Sequence, residues 1–283
     1  MILIYIINVN YFRIFFMKLL PKYYLSLLLL LFCTPMVSAN FTGFIEDTKN
    51  LKPISQSYSG VVPKILIDDP DNAIIIIYSH GNGNIRYKED CSLWWNAVPD
   101  SLLSIESKKN VHIYYLCSTA LDTFPPGSWI YDRVEEINKV LDELLLLGVK
   151  SKNIFLSGHS AGGWASLMAM NMVGTKFNEG IIFAPACCGP RSEILKYPSW
   201  RRRIRPAYIK KMINTTSVEA LIFSYKDDPY NRPRDLLFLS NKFSGSIELI
   251  GYSCENGHLT HIKDCKLENT KNKIWEYIQH RLK

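Results

Sequence analysis

The segment Gly158-His159-Ser160-Ala161-Gly162-Gly163 sets a serine between glycines at the spacing G-x-S-x-G. Before it stands the apolar run Ile154-Phe155-Leu156, and after it a stretch rich in Ala, Leu and Met. A strand that turns sharply into a helix exposes the residue at the turn, and a serine there can attack a carbonyl once a base takes its proton. Small residues are needed on both sides because the helix must pass close to the strand. Three fixed positions match by chance in about one chain of this length in ten, so the pattern gains weight only from partners elsewhere.

Acyl transfer needs three such partners. A tetrahedral oxyanion must be held by backbone N–H groups, and glycines let the backbone come close to it. Ser79-His80-Gly81-Asn82-Gly83-Asn84 follows an apolar run and supplies such a loop. Its donor is Gly81 or Asn82, and the second donor is the N–H after the serine, Ala161. The base must be a histidine. Of the six, His80 belongs to the loop just named, His112 to a strand, His159 to the turn itself and His280 to the last helix. His258, after Gly257, is the candidate and His261 the reserve. The carboxylate that orients it falls in Lys226-Asp227-Asp228-Pro229. Asp228 precedes a proline, which favours an extended turn there, while Asp227 stays open as its competitor.

These loops need a frame that brings them together. Residues 73–78, 111–117, 153–157, 180–184, 220–225 and 246–251 are short runs rich in apolar residues and bounded by turn residues, which predicts six strands. Helical spacing fills the gaps at 92–107, 131–147, 162–173 and 234–242, and residues 272–281 close the chain. Strands alternating with helices predict a mostly parallel central sheet flanked by helices on both faces. Residues 61–67 would add an edge strand. In such sheets the chemistry lies in loops after the strands' carboxyl ends, where all the candidates fall.

The order Ser160, Asp228, His258 and the elbow after its strand resemble the α/β-hydrolase superfamily, its esterase, lipase and dienelactone-hydrolase-like members in particular, over about residues 60–283. The resemblance implies that fold, a two-step mechanism through an acyl-enzyme without metal or cofactor, and a small-molecule or lipid ester as substrate. The sequence His80-Gly81-Asn82-Gly83 departs from the His-Gly-Gly-Gly of many lipases, which leaves the subfamily open. Acyltransferase, thioesterase or amidase chemistry would use the same residues. An inactive hydrolase fold that only binds is the reading from another class.

The composition, with 47% hydrophobic and 21% charged residues, is that of a globular chain. No cluster of histidines and cysteines has metal-ligand spacing. Residues 1–39 carry Arg13, Lys18 and Lys22 but no acid, and from Met17 they read as an export signal ending at Val37-Ser38-Ala39. Cleavage there would leave a domain of residues 40–283, with Met17 as an alternative start and a retained membrane anchor as the alternative fate. Without those three charges the formal +7 falls to +4, which gives no reason to expect a nucleic-acid partner. Six of the seven cysteines lie beyond the leader, an even number that suits an oxidising compartment. Cys254 and Cys265 bracket one short loop and are expected to pair. Cys187 and Cys188, being adjacent, are expected to find partners elsewhere.

Residues 185–218 form an insertion where this superfamily often carries a small cap. It holds Arg191, Arg201, Arg202, Arg203, Arg205, Lys210 and Lys211 with Tyr197, Trp200 and Tyr208. Such a surface could hold an anionic substrate or rest on acidic lipid headgroups. A solvated helical face with aromatics packed beneath it is the plainer reading. Nothing in the sequence fixes an oligomeric state.

Overall fold

The structure, a computed structural model, describes residues 43–45, 67, 69–81, 96–105, 108, 110–118, 120, 127–193, 200–255, 257–260 and 264–283. The strands are β1 (Gly43–Ile45), β2 (Ile74–Ser79), β3 (Val111–Leu116), β4 (Ile154–His159), β5 (Gly180–Phe183), β6 (Ala220–Tyr225) and β7 (Ile247–Tyr252). The helices are α1 (Asp100–Leu103), α2 (Ser128–Leu146), α3 (Ala161–Met172), α4 (Arg205–Ile213), α5 (Leu237–Lys242) and α6 (Leu267–Arg281). All the strands share one sheet in the order β1-β3-β2-β4-β5-β6-β7. The strands β2 to β7 are parallel, and β1 runs antiparallel along β3.

Both faces of the sheet's inner part are covered, which is why β2, β4, β5 and β6 are buried along their whole length instead of alternating. Ile75, Ile77, Ile154, Leu156, Ala220 and Ile222 point to one side, where they meet α2, α3, α4 and α5. Ile74, Ile76, Tyr78, Phe155, Leu221 and Phe223 point to the other, against α1 and α6. Helix α3 is buried on every side from Ala161 to Met170, because it lies between the sheet and two further helices, α2 and α4. That explains its run of Ala, Leu and Met.

The chain order produces the site. From β2 the chain moves outward to β3, then crosses back to lay β4 on the other edge of β2. Neighbouring strands therefore send their following loops in opposite directions, and a crevice opens between them at the carboxyl ends. Ser79 of β2 pairs with Gly158 of β4, so the loop after β2 begins beside the turn after β4. Tyr225 pairs with Tyr252, so the loops after β6 and β7 also leave side by side.

Two expectations change. Of the proposed edge strand, residues 61–66 lie outside the described residues and Ile67 is not in a strand. The edge position is held by β1, too short to show a pattern in sequence. Of the helix expected over 92–107, residues 92–95 lie outside the described residues, and only Asp100–Leu103 is helical among the others. Pro99 is the reason, since it disfavours helical backbone in the residue before it. Within residues 185–218, a short turn at Arg191–Glu193 and a wide turn at Trp200–Ile204 lead into α4. That helix docks on the body through Tyr208, whose hydroxyl donates to the carbonyl of Gly127, and through Asn171, which donates to Lys211 O at 2.6 Å.

Candidate active site

Ser160 follows β4 directly, with φ 51° and ψ −117°, a conformation that costs a non-glycine residue on the order of 1–3 kcal/mol. The surrounding packing holds it there. Its N–H donates to Phe183 O at 3.1 Å, and its carbonyl accepts from Trp164 N at 2.9 Å and Ala186 N at 3.0 Å. A Cβ on Gly158 would lie 2.6 Å from the Gly162 carbonyl carbon, and one on Gly162 would overlap the Ser79 carbonyl. Strand, turn and helix can pass this closely only with glycine at both positions.

The Ser160 hydroxyl lies 2.7 Å from His258 Nε2. On the far side of the ring, Nδ1 lies 2.7 Å from Asp228 Oδ2. Asp228 is fully buried and His258 is 9% exposed. The other carboxylate oxygen accepts from the N–H groups of Tyr230 at 2.6 Å and Asn231 at 3.2 Å. With those bonds made, the carboxylate is fixed with one oxygen facing Nδ1, which must then carry the proton and leave Nε2 to accept from the serine. The competitor Asp227 is exposed and presents only its backbone here, its carbonyl oxygen 2.9 Å from a Cβ built on Gly257. Gly257, at φ 49°, makes the tight turn before His258. The reserve His261 lies outside the described residues, and His280 is exposed on α6.

The loop after β2 lies against the serine, since a Cβ built on Gly81 would stand 3.4 Å from Ser160 Cβ. Burial pushes the pKa of His80 down to about 3, so its ring is neutral. Its Nδ1 donates to Gly81 O at 2.6 Å, and Nε2 accepts from Ser118 N at 3.0 Å. Asn82 lies outside the described residues. Ala161 begins α3, and the first N–H groups of a helix have no partner within it. That N–H is free to serve an anion at the turn.

Sequence reasoning missed the rings that flank the imidazole. The His159 ring lies 4.7 Å from that of His258 and its Nε2 donates to His258 O at 2.9 Å, while the Tyr230 ring lies 4.4 Å away. Both neighbour residues already singled out, which was the only signal. The basic residues of 185–218 divide into two groups. Arg191 donates to Asp228 O, Arg201 to Gly189 O and Tyr230 O, and Arg205 to Asn231 Oδ1 and Asp235 O. These three brace the acid's loop. Arg202, Arg203, Lys210 and Lys211 are exposed.

Cys254 and Cys265 are bonded to each other, and Cys117 is also disulfide-bonded. Cys187 and Cys188 are bonded to one another, contrary to the expectation of partners elsewhere. Cys188 reaches φ 70°, so a left-handed backbone brings neighbouring sulfurs together where ordinary dihedrals would not. Among the described residues, no group of three or more His, Cys, Asp or Glu side chains could hold a metal ion, and no helix is long and apolar enough to cross a membrane.

No protein-family model matches the chain, and no curated protein matches it. Solved structures do. Est1E from Butyrivibrio proteoclasticus superposes with a TM-score of 0.55 at 14% identity, over 76% of this chain and 91% of that one. The butyrate-bound Est2 esterase of Thermogutta terrifontis gives 0.50 at 15% identity, over 75% and 84%. A puromycin-hydrolyzing peptidase of Mycobacterium tuberculosis gives 0.51 at 12% identity, over 74% of this chain and 34% of that one. The fold is that of the α/β-hydrolases.

Proposed function

We propose that this chain is an exported serine hydrolase that cleaves carboxylic esters through an acyl-enzyme on Ser160. The observation that carries the reading is the unbroken line from Ser160 Oγ through His258 to buried Asp228, each link 2.7 Å long. In this mechanism His258 takes the serine proton as Oγ attacks the ester carbonyl, and the oxyanion is met by N–H groups of Gly81 or Asn82 and of Ala161. The same histidine returns the proton to the leaving alcohol, then activates a water that releases the acid. Asp228 orients the ring and steadies its charged form. The activities named for two structural neighbours of this chain, the Est2 esterase and the puromycin-hydrolyzing peptidase, accord with acyl transfer as the reaction class.

Export is supported by the basic and apolar leader over residues 1–39 and by the bonded cysteines. The mature domain would be residues 40–283, with residues 185–218 as a small cap. The exposed Arg202, Arg203, Lys210 and Lys211 would give it peripheral contact with acidic headgroups.

Initial rates on p-nitrophenyl esters of increasing chain length, for wild type beside Ser160→Ala, test the reading. Hydrolysis by wild type that the variant loses supports it. Equal background rates from both proteins would remove it and favour a fold that only binds.

A further inference from the structure

Arg133 stands on the face of α2 that Trp129, Ile130, Val134, Ile137 and Leu141 turn to the core. It is 2% exposed, and among the described residues no carboxylate lies within salt-bridge distance of it. Glu136, one turn along α2, attracts it without a direct ion pair; a buried cation so held is still expensive, and the groups it touches explain why it is there. Nη1 donates to His80 O at 2.7 Å and Nη2 to Gly81 O at 3.2 Å. Its planar fork thus closes on two successive carbonyls of the loop beside Ser160. The guanidinium also lies 5.5 Å from the Trp129 ring centre. Burial draws its pKa down to about 10, which leaves it charged at neutral pH.

The carbonyl and N–H of a trans peptide unit point in opposite directions. A donor that fixes His80 O on one side therefore turns the Gly81 N–H to the other, and Gly81 packs on Ser160. A cation on the carbonyl also polarises the unit and strengthens its N–H as a donor. Resting on the hydrolase reading above, we propose that Arg133 is a positioning residue that presets the oxyanion-binding N–H of Gly81 from behind the loop. His80, through Nδ1 on Gly81 O, holds the same turn from a second direction.

The test compares wild type with Arg133→Lys and Arg133→Met. The readouts are kcat and KM on p-nitrophenyl butyrate, the inhibition constant of a trifluoromethyl ketone that forms a tetrahedral adduct, and Tm. Loss of an oxyanion donor lowers kcat by about 10²–10³. Loss of its support should lower kcat about tenfold to a hundredfold in folded Arg133→Met and less in Arg133→Lys, which keeps one donor. KM should stay within about threefold, and ketone affinity should fall in parallel with kcat/KM. A folded Arg133→Met with unchanged kcat, or with only KM raised, overturns the proposal. Should that variant fail to fold, Arg133→Lys decides: wild-type kcat and ketone affinity overturn the role, and a fall in both at constant KM supports it. Wild type inert to ester and ketone alike would instead overturn the hydrolase reading, and this proposal with it.

Discussion

Replacing Asp228 by Asn keeps size and shape while changing one hydrogen-bonding role. In the native site Oδ1 accepts from Tyr230 N and Asn231 N, and Oδ2 faces His258 Nδ1 at 2.7 Å. An asparagine can keep its oxygen toward the two backbone donors, which turns its NH2 toward the ring. Nδ1 must then accept, the ring proton moves to Nε2, and Nε2 can no longer take the proton of Ser160. The loss expected for this tautomer error is about 10⁴ in kcat, or about 5.4 kcal/mol of barrier at 1.36 kcal/mol per tenfold. Because both backbone bonds survive, Tm should fall by only a few degrees. Asp227→Asn is the matched control, since that side chain is exposed and should leave kcat within about twofold. Rates on p-nitrophenyl butyrate with both variants shown folded by circular dichroism provide the assay. If Asp228→Asn stays within tenfold of wild type, or Asp227→Asn falls as far, the assignment of the acid is refuted.

Gly162→Ala would drive a methyl into the Ser79 carbonyl, in backbone that cannot step aside; a loss of about 3 kcal/mol, or about 6–12 °C in Tm, is expected, and an unchanged Tm would contradict the close approach. Glu179 is buried, and desolvation above all pushes its pKa up to about 7 against an ordinary value of 4.5. The folded state therefore holds this proton more tightly than the unfolded one, so the stability it supplies is full below about 4.5 and is lost as pH rises through about 7. Glu179→Gln should flatten the decline of Tm between pH 5 and pH 8, and an unchanged slope would count against the shift. Sedimentation with anionic vesicles should weaken when Arg202, Arg203, Lys210 and Lys211 are all changed to Gln, and equal binding would remove the headgroup contact.

The parts of this molecule that were legible in sequence are those where local chemistry and fold agree. A run such as Ile74-Ile75-Ile76-Ile77 suits only a strand buried on both faces, and the glycines around Ser160 are required by backbone contacts within a few residues. The serine, aspartate and histidine chosen from their positions after strands are the side chains that the structure brings into one hydrogen-bonded line. What sequence could not show depends on distant packing. Arg133 looks like one more charge on a helix until α2 is laid behind the loop after β2. The bracing role of Arg191, Arg201 and Arg205 needs residues 185–218 folded onto the loop of Asp228, and β1 is three residues, too few to carry a pattern, that pair with β3. The bond between Cys187 and Cys188 turns on backbone dihedrals that residue types do not reveal.

The most direct test of the central claim is treatment of the protein with a fluorophosphonate probe, beside Ser160→Ala and His258→Ala, followed by peptide mapping. A single adduct on Ser160, absent from Ser160→Ala and strongly slowed in His258→Ala, is the predicted result. A folded wild type that takes no label, or takes it at another residue, would contradict the assignment of Ser160 as an activated nucleophile.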